Sequence, residues 1–230
     1  MTKFLPFFFC LVLFPINVYA VAGAADKYEV TMKKVELCTS SSCTSPTEVA
    51  EGAQAVDIAG MSAGAEAASF GSTSGLPMGV TYTHLRVTLN RAFTIEGEVN
   101  VSGNNWCSTD SSAAGTATAL HTGTLDTDGT PTDGVDQTLY ISDAGDYGSD
   151  NSITMNYDSP TYALSMTVGS PTTSEMQTTY ALTNPYTVGP TNPKIKVTFD
   201  TSEALGAGID GGNNCLLWPQ EPVVTIALTD

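Results

Sequence analysis

The sequence predicts an all-β fold, an antiparallel β-sandwich of two packed sheets with roughly eight to eleven strands, stapled by disulfides. Three observations carry that expectation. Apolar residues recur with a period of two and hardly anywhere with the helical period. Clusters of Gly, Pro, Asn, Asp and Ser, the common turn formers, separate the alternating runs. Four cysteines follow an apolar leader, an even number in a chain built for export.

The leader comes first. Lys3 precedes an apolar block, Phe4 to Phe14, followed by the small-residue sites Val18-Tyr19-Ala20 and Gly23-Ala24-Ala25 of the kind signal peptidase accepts. Residues 1–25 are therefore expected to be a signal peptide, cut after Ala20 or Ala25. Cutting after Ala20 would leave Val21 to Asp26 as a flexible arm. The apolar block is about eleven residues, short of the roughly 20 that cross a bilayer, and no later stretch reaches that length, so no transmembrane segment is expected. Cys10 lacks the small residue that precedes a lipidated cysteine and belongs to the discarded segment. Residues 26–230 suit a single β-sandwich domain.

The first strand, Tyr28 to Leu37, has a fault in its pattern. Tyr28, Val30 and Met32 point one way and Val35 and Leu37 the other, with Lys33-Lys34 at the changeover, which predicts a bulge or a crossing between sheets. Leu85, Val87 and Leu89 then alternate with His84, Arg86 and Thr88. The clearest strand places Phe93, Ile95, Gly97, Val99 and Val101 on one face and Thr94, Glu96, Glu98 and Asn100 on the other. Residues 126–151 read as an acidic loop insertion interrupted by a short strand, Gln137 to Ile141. Alternation returns in Ile153–Tyr157, Tyr162–Val168, Ile195–Phe199 and Val224–Leu228. The helix-friendly stretch Ala63 to Ala68 is short and Gly-flanked, and Asp200 to Leu205 suits a single turn capped by its Thr or Ser. Strands near both ends of the mature chain are expected to be sheet edges, where subunits can add strands to one another.

One segment carries a family likeness. Leu76-Pro77-Met78-Gly79-Val80-Thr81-Tyr82-Thr83-His84-Leu85-Arg86-Val87 resembles the leucine, proline, glycine, tyrosine and alternating-strand segment of secreted bacterial prealbumin-like and immunoglobulin-like β-sandwich domains. The likeness covers about a dozen residues, and here the tyrosine follows the glycine by three residues rather than the usual two. It implies a fold and brings no catalytic residue with it.

The chain holds 8 Lys+Arg against 24 Asp+Glu; without Lys3, seven basic residues face 24 acidic ones, a net charge of −17. Such a charge repels nucleic acid and anionic lipid surfaces, which excludes both as expected partners. Three pairings of Cys38, Cys43, Cys107 and Cys215 are open. We favour Cys38–Cys43 across the tight polar loop Thr39 to Ser42, and Cys107–Cys215, which sit in the similar turns Asn104-Asn105-Trp106-Cys107 and Asn213-Asn214-Cys215. Trp106 and Trp218 are expected to cover that second bridge. A four-cysteine zinc site lacks paired Cys-x-x-Cys spacing.

No residue pattern identifies a reaction. A hydrolytic triad needs a base, nearly always histidine, and only His84 and His121 exist: alternation turns His84 to solvent, and His121 has no Gly-x-Ser-x-Gly elbow to serve. Glu96 and Glu98 share a strand face, as a glycosidase pair would, but no aromatic groove accompanies them. Asp126-x-Asp128-Gly129 resembles the start of a calcium loop, with Asp126, Asp128 and Asp133 as candidate ligands, although Gln137 stands where an EF-hand has its glutamate. The expected function is that of an exported, non-enzymatic surface or extracellular structural subunit, associating with itself or with an extracellular protein or glycan through terminal strands. The alternative is a calcium-assisted carbohydrate-binding module, with calcium its single cofactor.

Overall fold

A computed structural model of the chain describes residues 21–61, 72–112, 121–140, 167–168 and 175–229, and among these every regular element is a strand. In chain order they are β1 (Val21–Gly23), β2 (Lys27–Cys38), β3 (Thr47–Asp57), β4 (Thr81–Asn90), β5 (Ala92–Glu96), β6 (Glu98–Ser102), β7 (Asn105–Ser108) and β8 (His121–Asp126). There follow β9 (Gln137–Tyr140), β10 (Thr167–Val168), β11 (Glu175–Thr187), β12 (Lys194–Asp200), β13 (Leu205–Ile209), β14 (Cys215–Pro219) and β15 (Val223–Thr229). The fold is the antiparallel all-β one that the alternation predicts, in two large curled sheets and one small one. A six-stranded sheet runs β1-β13-β14-β8-β7-β6; a seven-stranded sheet runs β10-β11-β4-β2-β5-β9, with β3 also on β2; β12 and β15 pair by themselves.

The seven-stranded sheet is organised by β2. Its first residues pair with β5 (Tyr28 opposite Ile95) and its later ones with β4 (Leu37 opposite Leu85). The fault at Lys33-Lys34 is a bulge, with the register slipping between Met32 and Lys34 against both neighbours. Residues directly opposite in a ladder share a face. Met32 lies opposite Leu89, Val35 opposite Val87 and Leu37 opposite Leu85, three residues that alternation puts on one face of β4. The extra residue therefore restores the phase, and both apolar runs of β2 look inward.

Two cores result. The first gathers Tyr28, Val30, Phe93, Ile95, Val99 and Leu139 with Leu205 and Leu217 of the six-stranded sheet. The second packs Val35, Leu37, Tyr82, Leu85 and Tyr180 under Val224 and Ile226 of the β12–β15 pair, and Phe199 touches both cores. Each fully buried aliphatic side chain among them contributes about 1.5–3 kcal/mol.

The strand predicted from Phe93 to Val101 is divided at Gly97, where the chain leaves one sheet for the other as β5 becomes β6. A Cβ on Gly97 would lie 3.0 Å from the Ala24 carbonyl and 3.2 Å from Leu205, so the corner is packed too tightly for a side chain. Just before it in space, Val21 to Gly23 form a strand against β13 and not a flexible arm, with Val21 opposite Ala207. The six-stranded sheet curls until β1 meets β6: a Cβ on Gly23 would lie 3.0 Å from Val99.

Both bridges join the pairs read from the sequence. Cys38–Cys43 closes a five-residue separation at the end of β2, and Cys107–Cys215 ties β7 to β14, the two partners of β8, with the Cα atoms 5.6 Å apart. The tryptophans do not cover that bridge. Trp106 adjoins Cys107 and Trp218 lies three residues from Cys215, so alternation turns both indoles to the other face of the sheet, where Trp218 lies across Gly206. The turn at Asp200 to Leu205 also differs from expectation: Asp200 itself caps it, accepting the Ser202 N–H at 3.0 Å. The stretches Ala63–Ala68, Ile153–Tyr157 and most of Tyr162–Val168 lie outside the described residues.

The two bridges differ in what they restrain. Cys107–Cys215 closes a loop of 108 residues and Cys38–Cys43 one of 5. Replacing the long-range pair by serine is expected to lower stability by about 5 kcal/mol in the chain-entropy account, and replacing the short-range pair by about 2 kcal/mol. Urea unfolding midpoints of the two double variants measure both losses.

Candidate functional site

The acidic loop between β8 and β9 is ordered by its own carboxylates. Asp126 accepts the Thr132 N–H at 2.8 Å and the Thr132 hydroxyl at 3.2 Å, and Asp128 accepts the Thr130 N–H at 2.9 Å. The Asp128 bond is a side-chain turn of the Asx type, made to the backbone two residues on, whereas Asp126 reaches across six residues to close the loop. Asp133 is exposed, and among the described residues no three His, Cys, Asp or Glu side chains converge so as to hold a metal ion. Asp126, Asp128 and Asp133 are thus not brought together as a ligand set. The loop is no free insertion either, because β9 at its end pairs with β5 inside the main sheet, with Leu139 opposite Phe93.

The loop is held down on the Gly97 corner. The Glu98 carboxylate accepts the Gly134 N–H at 2.7 Å, the Thr109 carbonyl accepts the Val135 N–H at 3.2 Å, and Lys27 pairs with Asp136 at 2.7 Å. Glu96 and Glu98, read as one face of a single strand, are separated by the corner and do different work. Desolvation, then the charge of Asp136, pushes the Glu96 carboxyl up, while the hydrogen bond that the Lys27 ammonium donates to Asp136 holds its pKa up. Glu98 thus holds the loop, whereas Glu96 lies beside Asp136 and Lys27.

Both histidines lie on strands, His84 on β4 and His121 on β8. His84 lies opposite Cys38 on the outer face of the sheet, half-buried rather than solvent-facing; it contacts the Thr83 hydroxyl through Nδ1 at 2.8 Å, and burial lowers its pKa. His121 is 1% exposed. Its Nε2 accepts the Tyr140 N–H at 3.2 Å and its ring stacks on Tyr140 with centroids 5.8 Å apart. Gln137 completes this seam between the sheets: its side-chain carbonyl accepts the Asp110 N–H and its amide donates to the Thr122 carbonyl.

The most concentrated charge is one the sequence reading passed over. Glu36 and Arg86 face each other on the outer side of β2 and β4, joined at 2.7 Å, with Lys34 bridging Glu36 at 3.4 Å and Glu48 at 2.9 Å. Glu36 is only 4% exposed. Burial pushes its carboxyl up, but the Arg86 hydrogen bond and charge, with Lys34, outweigh that and hold it below the usual range. Arg86 also donates to the Cys43 carbonyl at 3.3 Å, fastening the small disulfide loop to the sheet. Opposite alternation of Glu36 against Leu37 and Arg86 against Leu85 is the signal that was available; the pairing register is what the sequence lacks.

This network is structural in its geometry, and a pair of substitutions tests it. Arg86→Met is expected to lower stability by about 3 kcal/mol, because the Glu36 carboxylate is left buried beside one lysine; Glu36→Met in the same chain is expected to recover most of the loss. Chemical denaturation of the single and double variants measures both, and equal losses in the two would mean that packing and not charge is at stake.

No protein-family model matches the chain, and no curated protein or solved structure is detectably similar to it.

Proposed function

We propose that the protein is an exported, non-enzymatic β-sandwich that works by association, as a surface or extracellular structural subunit assembling through its terminal strands. The observation that carries this reading is β1. It is three residues long, ends the six-stranded sheet, and is laddered to β13 alone by three residue pairs. Exposed Ala24 links it to Ala25 and Asp26, whose N–H groups are fixed to the Thr201 and Glu96 carbonyls. A short strand beyond a firm anchor can leave its slot and enter that of a second copy, since exchange of an identical element needs no new contacts. The close approach of Gly23 to Val99 makes the slot selective for small residues. The two disulfides are compatible with a periplasmic or extracellular site.

The reading requires the leader to be cut after Ala20, because a cut after Ala25 would remove β1. The secreted chain is therefore expected to begin at Val21 and to assemble, in sizing and negative-stain imaging, as its concentration rises; a chain shortened to begin at Asp26, and a Gly23→Val chain, are expected to stay monomeric. A strictly monomeric Val21 chain at every concentration, or a secreted chain that begins at Asp26, overturns assembly through β1.

A further inference from the structure

The seam between β8 and β9 has an unusual acceptor. Where two sheets meet, backbone N–H groups lacking a ladder partner need some other acceptor, and here Tyr140 donates its N–H to the imidazole of His121 at 3.2 Å. A ring nitrogen that accepts is unprotonated, so the proton of the neutral ring resides on Nδ1. Among the described residues that Nδ1 is buried and has no hydrogen-bond partner.

We propose that His121 makes this seam an acid-opened joint: protonation of the ring converts its acceptor into a donor facing the Tyr140 N–H, and β9 with the acidic loop then parts from β8. Both ring nitrogens are donors in the cation. A buried cation facing one donor and carrying a second unpaired one is favoured only once water reaches it.

Among the described residues, the groups around the ring offer the cation no counter-charge. Asp110, after β7, accepts from the Ser112 N–H and hydroxyl and from the Thr124 hydroxyl. Asp126, at the end of β8, is engaged by Thr132, and Asp136, ahead of β9, by Lys27. Glu96 closes β5 at the far end of its ladder with β9, and the buried cation Arg91 directly precedes β5. From β14 come Leu217, opposite His121, and the bridged Cys215. Burial alone lowers the ring to about 4, in agreement with that arrangement. The closed seam is thus fully favoured above the free-ring value of about 6.5 and loses its advantage as the pH falls toward the folded one. Glu221, in the link between β14 and β15, is pushed up to about 7 by burial, with a hydrogen bond from Tyr180 opposing it, and so acts with the opposite sign. Its protonation stabilises the fold as the pH falls.

Hydrogen exchange of the full secreted protein tests the joint residue by residue. Between about pH 7.5 and about pH 4.5, after correction for intrinsic rates, opening at the Tyr140 amide is expected to rise on the order of 50-fold, while core amides of β2 and β4 keep their protection. In His121→Gln the side-chain carbonyl can accept the same N–H without titrating, and the rise is expected to vanish. Ring titration of His121 by NMR in the unaltered protein guards against a variant that fails to fold. The proposal is overturned if the ring titrates near its ordinary value, if Tyr140 shows no excess opening, or if the core amides open to the same extent.

Discussion

Side chains on a strand alternate with a period of two, so a long strand can serve two cores on one face only if something corrects its phase between them. The bulge at Lys33 does this, and much of the architecture depends on it. Without the extra residue, Val35 and Leu37 would face outward and Glu36 inward, exchanging two core residues for a buried carboxylate away from Arg86. One inserted residue thus fixes the first core, the second core and the charged network on the outer face together.

The two cores differ in how they are closed. The first is wrapped by a single chain turning from β5 into β6 at Gly97, and on its other side the sheets are joined by side chains, Gln137 and His121, acting where a ladder would otherwise run. The second is roofed by β12 and β15, a pair that among the described residues has no ladder to the larger sheets; the Thr183 hydroxyl donates to the Ile226 carbonyl at 2.9 Å. Roof and body are held mainly by apolar burial, which is non-directional, whereas the seam is held by directional bonds that a proton can reverse.

The sequence made the class legible because strands with one wet face declare themselves by alternation, as in Phe93 to Val101 and Val224 to Leu228. It concealed others for physical reasons. The edge strand β3 presents Glu51, Gly52 and Ala53 to solvent, so its pattern has little contrast. In β11, Thr178 occupies an inward position opposite Val87 and breaks the apolar series. The run Cys215 to Pro219 is buried on both faces and has nothing to alternate. For the candidate site, the spacing of Asp126 and Asp128 serves a calcium loop and a loop closed by its own carboxylates equally well; only the direction of the oxygens separates them. Glu36 and Arg86 were each visible as outward polar residues, but their meeting depends on a register displaced by the bulge.

The pairing of β1 with β13 also bears on the order of events as the chain is made. Val21 lies opposite Ala207, so the first strand of the sandwich has no partner until nearly the whole chain has followed it. Contacts so distant in sequence form late, after loop closure has been met. A chain delivered from its N-terminus across a membrane would therefore present Val21 to Gly23 unpaired for most of that passage, and the β13 slot would appear last. On the proposed reading of export and strand exchange, a neighbour's strand and the chain's own would reach the vacant slot on comparable terms, so that local concentration at the exit would select between closed monomer and exchanged assembly.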